Sequence, residues 1–191
     1  MRRRAGVALG VVLLGCGIWQ LGQGLWVYAK AGLAQHLQQR AWARTLAGES
    51  AVKPWPWADT WPVARLRVPA HGIDLIVLDG VSGRTLAFGP GHYPGSAMPG
   101  GAGVAIVSGH RDTHFRFLRH VKAGDEILVD TPGRPRARFR VRQTAVVDAR
   151  TAVLASADDA SGMVLVTCYP FDAVRPGGPL RYLVLAEAEH G

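Results

Sequence analysis

The chain has 191 residues and a formal charge of +8, from 22 Lys and Arg against 14 Asp and Glu. With an apolar N-terminal segment set aside, the remainder has the size of one domain with one core, which excludes a second domain. The arginines are scattered through strand-like runs such as 64–68 and 137–141, without a basic tail, zinc-finger spacing or aromatic-basic RNA motif. The charge therefore argues against a nucleic-acid-binding protein.

The N-terminal segment predicts where the rest of the chain resides. Arginines at positions 2–4 precede a run, residues 5–29, that has no charged side chain. As a helix rising about 1.5 Å per residue, this run is long enough to cross a hydrocarbon core of about 30 Å, with the arginines on the cytoplasmic side. We expect an uncleaved, single-pass signal anchor over residues 1–30. A lipoprotein signal is the alternative, because residues 13–16 (Leu-Leu-Gly-Cys) loosely resemble its cleavage site; both place the domain outside the cytoplasm, tethered to a membrane.

The cysteine count points to one residue. Cys16 lies in the apolar run, which leaves Cys168 without a partner in the exported part of the chain. Cysteines in oxidising compartments are usually paired. Cys168 is therefore either a retained nucleophile or an inert core thiol, since free cysteines are often buried.

The middle of the chain predicts a helix and then an extended strap. Residues 31–50 carry leucines among polar side chains, which is typical of a juxtamembrane helix. Prolines and tryptophans between residues 53 and 62 end this helix, because proline cannot continue it. We expect the tryptophans to pack the strap onto the following domain. The predicted organisation is an anchor (1–30), a helix and strap (31–62) and a catalytic domain (63–191).

From residue 63 onward the pattern is one of short strands separated by Gly- and Pro-rich turns. The candidate strands are 63–68, 74–78, 104–107, 126–129, 137–141, 145–147, 163–167 and 181–186. A short helix is expected near 115–120. These elements predict a mainly β domain, a barrel or a sandwich of about eight strands.

Three of these strands end or begin with a chemically active side chain. An apolar strand runs into Ser108, Gly109 and His110; a second ends at Cys168, two residues before a proline; and Arg181 begins the last strand. If the strands are neighbours, the three side chains converge at one end of the sheet. Only His110 follows a buried strand and a glycine. Three further histidines compete with it: His92, His114 and His120.

These segments together resemble the sortase family. The residues around Cys168 and Arg181 are similar to the sortase signature, a Thr-Leu-X-Thr-Cys strand followed after a loop by an arginine that leads the last strand. Residues 108–111 (Ser-Gly-His-Arg) resemble the sortase histidine segment, and residues 89–95 and 98–100 resemble the stretch before it. The likeness covers roughly 63–186, although Val164 or Met163 replaces the first Thr of the motif. The N-terminal arginines, the strap and the Cys-Tyr-Pro-Phe phrase at 168–171 look most like the class found in Gram-negative bacteria.

The resemblance implies a sortase-like closed barrel of about eight strands behind a transmembrane helix, at the bacterial inner membrane with the catalytic domain on the periplasmic side. It implies a cysteine transpeptidase in which Cys168 attacks the Thr carbonyl of a Leu-Pro-X-Thr-Gly-like sorting signal in a protein substrate. His110 would act as acid and base, and Arg181 would stabilise the oxyanion. Thr167 and Arg175 are candidate substrate-binding residues. An amine accepts the acyl group, and no metal or organic cofactor is expected.

Other functions use the same residues. An exported cysteine hydrolase would pass the acyl group to water, and a non-enzymatic, membrane-tethered binding barrel would keep the fold without needing Cys168. A metal site formed by His110, His114 and Cys168 lacks a closed ligand set. We expect Asp112 to cap the helix that follows it rather than to orient His110.

Overall fold

The structure is a computed structural model that describes residues 2–152, 161–175 and 177–189. Side chains at 2–9, 11, 12 and 27 lie outside this description. The chain divides into two compact units, Met1–Leu37 and Gln38–Gly191. The domain bounds drawn from the sequence stay predictions.

One long helix, α1 (Arg2–Leu46), joins the expected anchor segment to the expected juxtamembrane helix. Among the described residues, no helix has both the length and the hydropathy needed to cross a bilayer. The expected transmembrane helix is therefore not found there. The start of the expected run, at 5–9, 11 and 12, lies outside the described side chains.

In the described part of the second unit there are eight strands and short helices. The strands are β1 (Pro62–Val68), β2 (Ile73–Asp79), β3 (Gly91–His92), β4 (Val104–Ser108), β5 (Glu126–Asp130), β6 (Ala137–Asp148), β7 (Gly162–Cys168) and β8 (Leu180–Ala188). Helix α2 (Gly83–Phe88) follows β2, and 3-10 helices cover Pro69–His71 and Arg116–His120.

The strands form a closed barrel in the order β1-β2-β3-β4-β7-β8-β6-β5, and β5 pairs with β1 to complete it. This confirms the predicted mainly β barrel of about eight strands. Strands β4 and β7 are parallel neighbours, whereas β8 is antiparallel to both β7 and β6. The order places the ends of β4 and β7 and the start of β8 side by side.

The barrel interior is filled by alternate apolar side chains, as expected where successive side chains point to opposite faces. Members that are at most 1% exposed include Leu66, Val77, Val107, Phe139, Leu165 and Val184. Large β-branched and aromatic side chains suit such a surface, so the core holds the strand ends in fixed positions.

The structure differs from the predicted elements in the smaller pieces. Predicted strands 137–141 and 145–147 are one strand, β6, with a register irregularity between Val141 and Gln143. Strand β3 and helix α2 were not predicted, because two residues and six residues give too little periodicity. The short helix expected near 115–120 is confirmed as Arg116–His120.

The strap is packed against the domain by part of its aromatic side chains. Trp55 contacts Phe88 edge to face at 4.7 Å between ring centroids, and Trp61 packs against the core. Thr60 is buried and donates a hydrogen bond to the Asp79 carbonyl at 2.7 Å. Trp57 is 82% exposed, so the expected packing is wrong for this residue.

Many of the scattered arginines form ion pairs on the outside of the barrel. Arg65 contacts Asp74 at 2.6 Å across β1 and β2, and Arg142 contacts Glu187 at 2.7 Å across β6 and β8. Exposed pairs of this kind contribute little stability each. They account for arginines in strand-like runs without a nucleic-acid partner.

Candidate active site

Cys168 is the last residue of β7 and lies at the end of the barrel. The preceding run from Met163 to Thr167 consists of apolar or β-branched residues, and Pro170 cannot donate a ladder hydrogen bond, so the strand stops there. The thiol is half-buried. It is therefore held by a rigid strand and still reachable from solvent.

Arg181 lies directly opposite Cys168. The two residues are Cα partners in the antiparallel pairing of β7 and β8. Residues opposite each other in such a pair point to the same face, with Cβ atoms about 5 Å apart. The guanidinium is anchored further because Nη1 donates to the carbonyls of Gly178 at 2.7 Å and Leu180 at 2.9 Å. The thiol and this cation therefore share one face of the sheet.

His110 approaches Cys168 from the other side. In the parallel pairing of β4 and β7, Ser108 is the partner of Val166, and His110 and Cys168 each lie two residues further on. The intervening Gly109 donates its N–H to the Val166 carbonyl at 3.1 Å. Neighbouring strands are about 4.8 Å apart, so this register brings the backbone of His110, whose side chain is exposed, close to that of Cys168.

Two buried contacts fix the segment that carries His110. The Thr167 hydroxyl donates to the Gly109 carbonyl at 2.7 Å, and the Thr167 side chain is turned to the interior because Cys168 takes the other face. A Cβ on Gly109 would lie 2.7 Å from the Phe115 ring, so only glycine fits here. Thr167 thus positions the histidine segment, and its substrate contact stays a prediction. Phe115 was not identified from the sequence.

The competing histidines have different surroundings. His92 is buried, and its Nε2 donates to the Ala97 carbonyl at 2.9 Å, so it is not a surface group. His120 is exposed at the end of the 3-10 helix. His114 is near His110: burial lowers the pKa of His114, and the neighbouring charge of His110 lowers it further. His110 follows the strand beside Cys168, which supports its selection.

Asp112 does not have the expected capping role. The 3-10 helix Arg116–His120 is preceded by Phe115, and no side chain caps it. The Asp112 side chain is 71% exposed and lies 3.4 Å from Arg111 Nε. The capping prediction is wrong because the chain first makes a turn over 110–115, in which the His110 carbonyl accepts from Phe115 N–H.

The sequence interpretation missed Arg111. This side chain is 7% exposed, and its Nη2 donates to the Ala173 carbonyl at 2.8 Å. It ties the segment after His110 to the loop after Cys168. The available signal was its position in the Ser-Gly-His-Arg segment, but arginines are mostly exposed, so nothing in the sequence indicated that this one is buried.

Aromatic rings pack beside Cys168 and Arg181. Tyr169 follows Cys168 and Tyr182 follows Arg181, and their rings stack with 6.3 Å between the centroids. The Phe171 ring contacts the Tyr182 ring at 5.1 Å. The rings hold the start of the β7–β8 loop against β8. Arg175 lies further along this loop and is exposed, so its role in substrate binding stays a prediction.

The residues brought together are a thiol, an imidazole and a guanidinium. Acyl transfer through a covalent intermediate needs a nucleophile, a proton carrier and a group that stabilises the oxyanion. Over the described ranges, no cluster of three or more His, Cys, Asp or Glu side chains is placed to hold a metal ion.

Comparison with known proteins identifies the family. A family model described as the sortase domain matches residues 66–189. Sortase D of Bacillus subtilis is 31% identical over 121 residues, which cover 62% of this chain and 60% of that protein. The chain thus spans about 60% of the length of this curated relative.

Solved structures share the fold. A Clostridium perfringens sortase D5 transpeptidase is 27% identical with a TM-score of 0.59, over 68% of this chain and 80% of that one. Sortase C-1 from Actinomyces oris is 28% identical with a TM-score of 0.61, over 68% and 75%. Sortase A from Corynebacterium diphtheriae, at 24% identity and a TM-score of 0.63, covers 84% of both chains and is similar in fold. With a family model that covers more than half of its residues, the chain belongs to the sortase family.

Proposed function

We propose that this protein is a cysteine transpeptidase that cleaves a Leu-Pro-X-Thr-Gly-like sorting signal and transfers the acyl part to an amine. The observation that carries the proposal is the strand register. It sets Cys168 opposite Arg181 on β8 and beside His110 after β4. Membership of the sortase family and the D5 transpeptidase among the similar structures support the same chemistry.

The reaction follows from these three side chains. The Cys168 thiolate attacks the threonine carbonyl carbon, and Arg181 stabilises the negative charge that develops on the carbonyl oxygen. The threonine–glycine bond breaks as protonated His110 gives its proton to the departing amine. An acceptor amine then attacks the thioester and loses a proton to His110. The new amide bond forms, and the thiolate leaves as the original enzyme.

Arg181 suits its proposed task because it is positioned before the reaction begins. Its Nη1 is occupied by two backbone carbonyls. An arginine has five N–H donors in a rigid planar fork, so Nε and Nη2 supply the donors for the oxyanion. A charge already in place avoids the reorganisation that a mobile side chain would need.

The sorting signal, the acceptor and the cellular location are further parts of the proposal. We place the catalytic domain at the extracytoplasmic side of a bacterial inner membrane, supported by the arginines at 2–4 and the uncharged run at 5–29 in the sequence. The phrase Cys-Tyr-Pro-Phe at 168–171 supports the class of Gram-negative bacteria. Fractionation tests the location: an intact chain recovered with the soluble cytoplasmic proteins would contradict it.

The activity is tested with a fluorogenic peptide that contains the sorting motif. We expect mass spectrometry to detect a thioacyl adduct on Cys168 and, with an added amine, an amide product. Cys168→Ala should abolish cleavage with unchanged circular dichroism. Cleavage by that variant would refute the transpeptidase proposal. Release of acid alone, at every amine concentration, would instead indicate the cysteine hydrolase.

A further inference from the structure

A cleft rich in arginine lies beside the proposed active site. It has a volume of about 260 Å³ and is lined by Arg111, Asp112, Arg116, Arg119 and Phe171. Four of these residues closely follow His110, and Phe171 is the third residue after Cys168. Three guanidiniums face one carboxylate in this lining, and arginine stays charged at every physiological pH. The cleft is therefore suited to an anion.

Arg111 gives the cleft a buried charge that is incompletely paired. The side chain is 7% exposed, and Nη2 donates to the Ala173 carbonyl. Its buried Nε has no hydrogen-bond partner among the described residues. Asp112 lies 3.4 Å from that nitrogen, longer than a normal N–H···O bond, and is mostly exposed. Since a buried charge is costly unless paired, an anion in the cleft would compensate Arg111.

The other two arginines leave donors available at the rim. Arg119 is held over the Phe171 ring at 5.1 Å from the centroid, with Nη2 donating to the Phe171 carbonyl at 3.2 Å. The Arg116 side chain is exposed and makes no hydrogen bond or ion pair with another described residue. Pockets for drug-sized ligands have volumes of about 300–1,000 Å³, so this smaller cleft suits one charged group.

The position of the cleft indicates which reactant brings the anion. Four of the five lining residues follow His110 within nine positions, and Arg111 is the next residue after it, so the cleft adjoins the segment that carries His110. Arg181 is assigned to the acyl carbonyl, whereas His110 serves the amine. The cleft thus adjoins the residue that serves the amine, and free amino acids and short peptides carry a carboxylate as well as an amine. We infer that the arginine cleft binds the carboxylate of the acceptor amine. This inference rests on the proposed transpeptidase function and names its acceptor class.

Matched acceptors test the inference with the full chain and one sorting peptide. Triglycine is compared with triglycinamide, and glycylglycine with glycylglycinamide, because each pair keeps the surroundings of the amine similar. We expect the carboxylate form of at least one pair to have a KM about tenfold lower or more, the size expected for hydrogen bonds to a charged group. The ratio of the KM of the amide form to the KM of the carboxylate form should fall as salt is added, since two of the arginines are exposed.

Variants assign the preference to the cleft. Arg116→Gln with Arg119→Gln should lower the KM ratio severalfold and leave only the part due to Arg111, and Arg116→Gln alone should lower it less. Arg138→Gln is the matched control: Arg138 is exposed on β6, near the pairing of Phe139 with Ala188 at the far end of β8 from Arg181. This control should keep the wild-type ratio.

The outcomes separate the inference from the activity on which it rests. A thioacyl adduct together with equal KM values in both acceptor pairs would overturn the carboxylate site and leave the transpeptidase proposal standing. A preference that the double variant leaves unchanged would also overturn the site. Absence of any adduct on Cys168 would refute the transpeptidase itself.

Discussion

Replacing Thr167 by valine removes one hydroxyl from the barrel interior and keeps the branched shape of the side chain. Thr167 is 2% exposed, and its hydroxyl donates to the Gly109 carbonyl at 2.7 Å. Loss of the donor leaves a buried carbonyl short of a partner, which costs about 1–3 kcal/mol. For a unit of this size we expect the Tm to fall by about 3–10 °C.

The same substitution should also lower activity beyond its effect on stability. Gly109 immediately precedes His110, and a displacement on the order of 1 Å in a catalytic group can cost about a hundredfold in rate. We expect kcat for cleavage to fall by at least about tenfold with KM little changed. A raised KM with normal kcat would instead favour the predicted contact between Thr167 and substrate.

Thr131 provides a matched control. It is 7% exposed, and its hydroxyl donates to the Pro99 carbonyl at 2.9 Å, after β5 and away from the strand ends that carry the site. Thr131→Val should lose similar stability and keep its kcat, and Thr167→Ser should recover much of the lost rate. Normal kcat in a destabilised Thr167→Val, or an equal loss in Thr131→Val, would refute the positioning role.

Further predictions concern the other site residues. Arg181→Ala should lower the acyl-transfer rate by at least about a hundredfold, and Arg181→Lys should also be slow because it lacks the planar fork; Arg175→Ala should mainly affect KM. An inactive Arg175→Ala variant together with a near-normal acyl-transfer rate in Arg181→Ala would reverse the assignment. His110→Ala should lose most activity, whereas His114→Ala should not, and wild-type kcat/KM should have a bell-shaped pH dependence. Because the pKa of His114 is lowered on folding from 6.5, the unfolded chain binds the proton more tightly, so the unfolding free energy should decrease as pH falls below about 6.5. His114→Gln should weaken that decrease in urea titrations; an identical pH profile would contradict it.

The barrel and the three converging side chains could be predicted because their signals are local. Apolar β-branched runs that end in Cys168 and before His110 indicate strands, and the family motif gives their order. Strand alternation also places the Thr167 side chain on the interior face of the barrel, because Cys168 takes the opposite face.

Features that depend on distant packing could not be predicted. Strand β3 exists because its two residues pair with both β2 and β4, and its short sequence has no period to detect. Arg111 is buried only because Ala173, 62 residues away in sequence, supplies a carbonyl. The turn stabilised by Phe115 similarly displaced the helix start from Asp112.

The insertion of β8 between β7 and β6 affects when the site can exist. Cys168 and Arg181 become neighbours only after the last described strand has entered the barrel. The pairing of β8 with β7 is local, because it joins consecutive strands, whereas its pairing with β6 links residues 32 to 49 positions apart and carries the larger entropic cost of loop closure. Until β8 has paired, β6 and β7 each have an unpaired edge open to aggregation, and the thiol lacks its cation. A chain that has not yet reached β8 therefore carries Cys168 without the environment proposed to make it reactive.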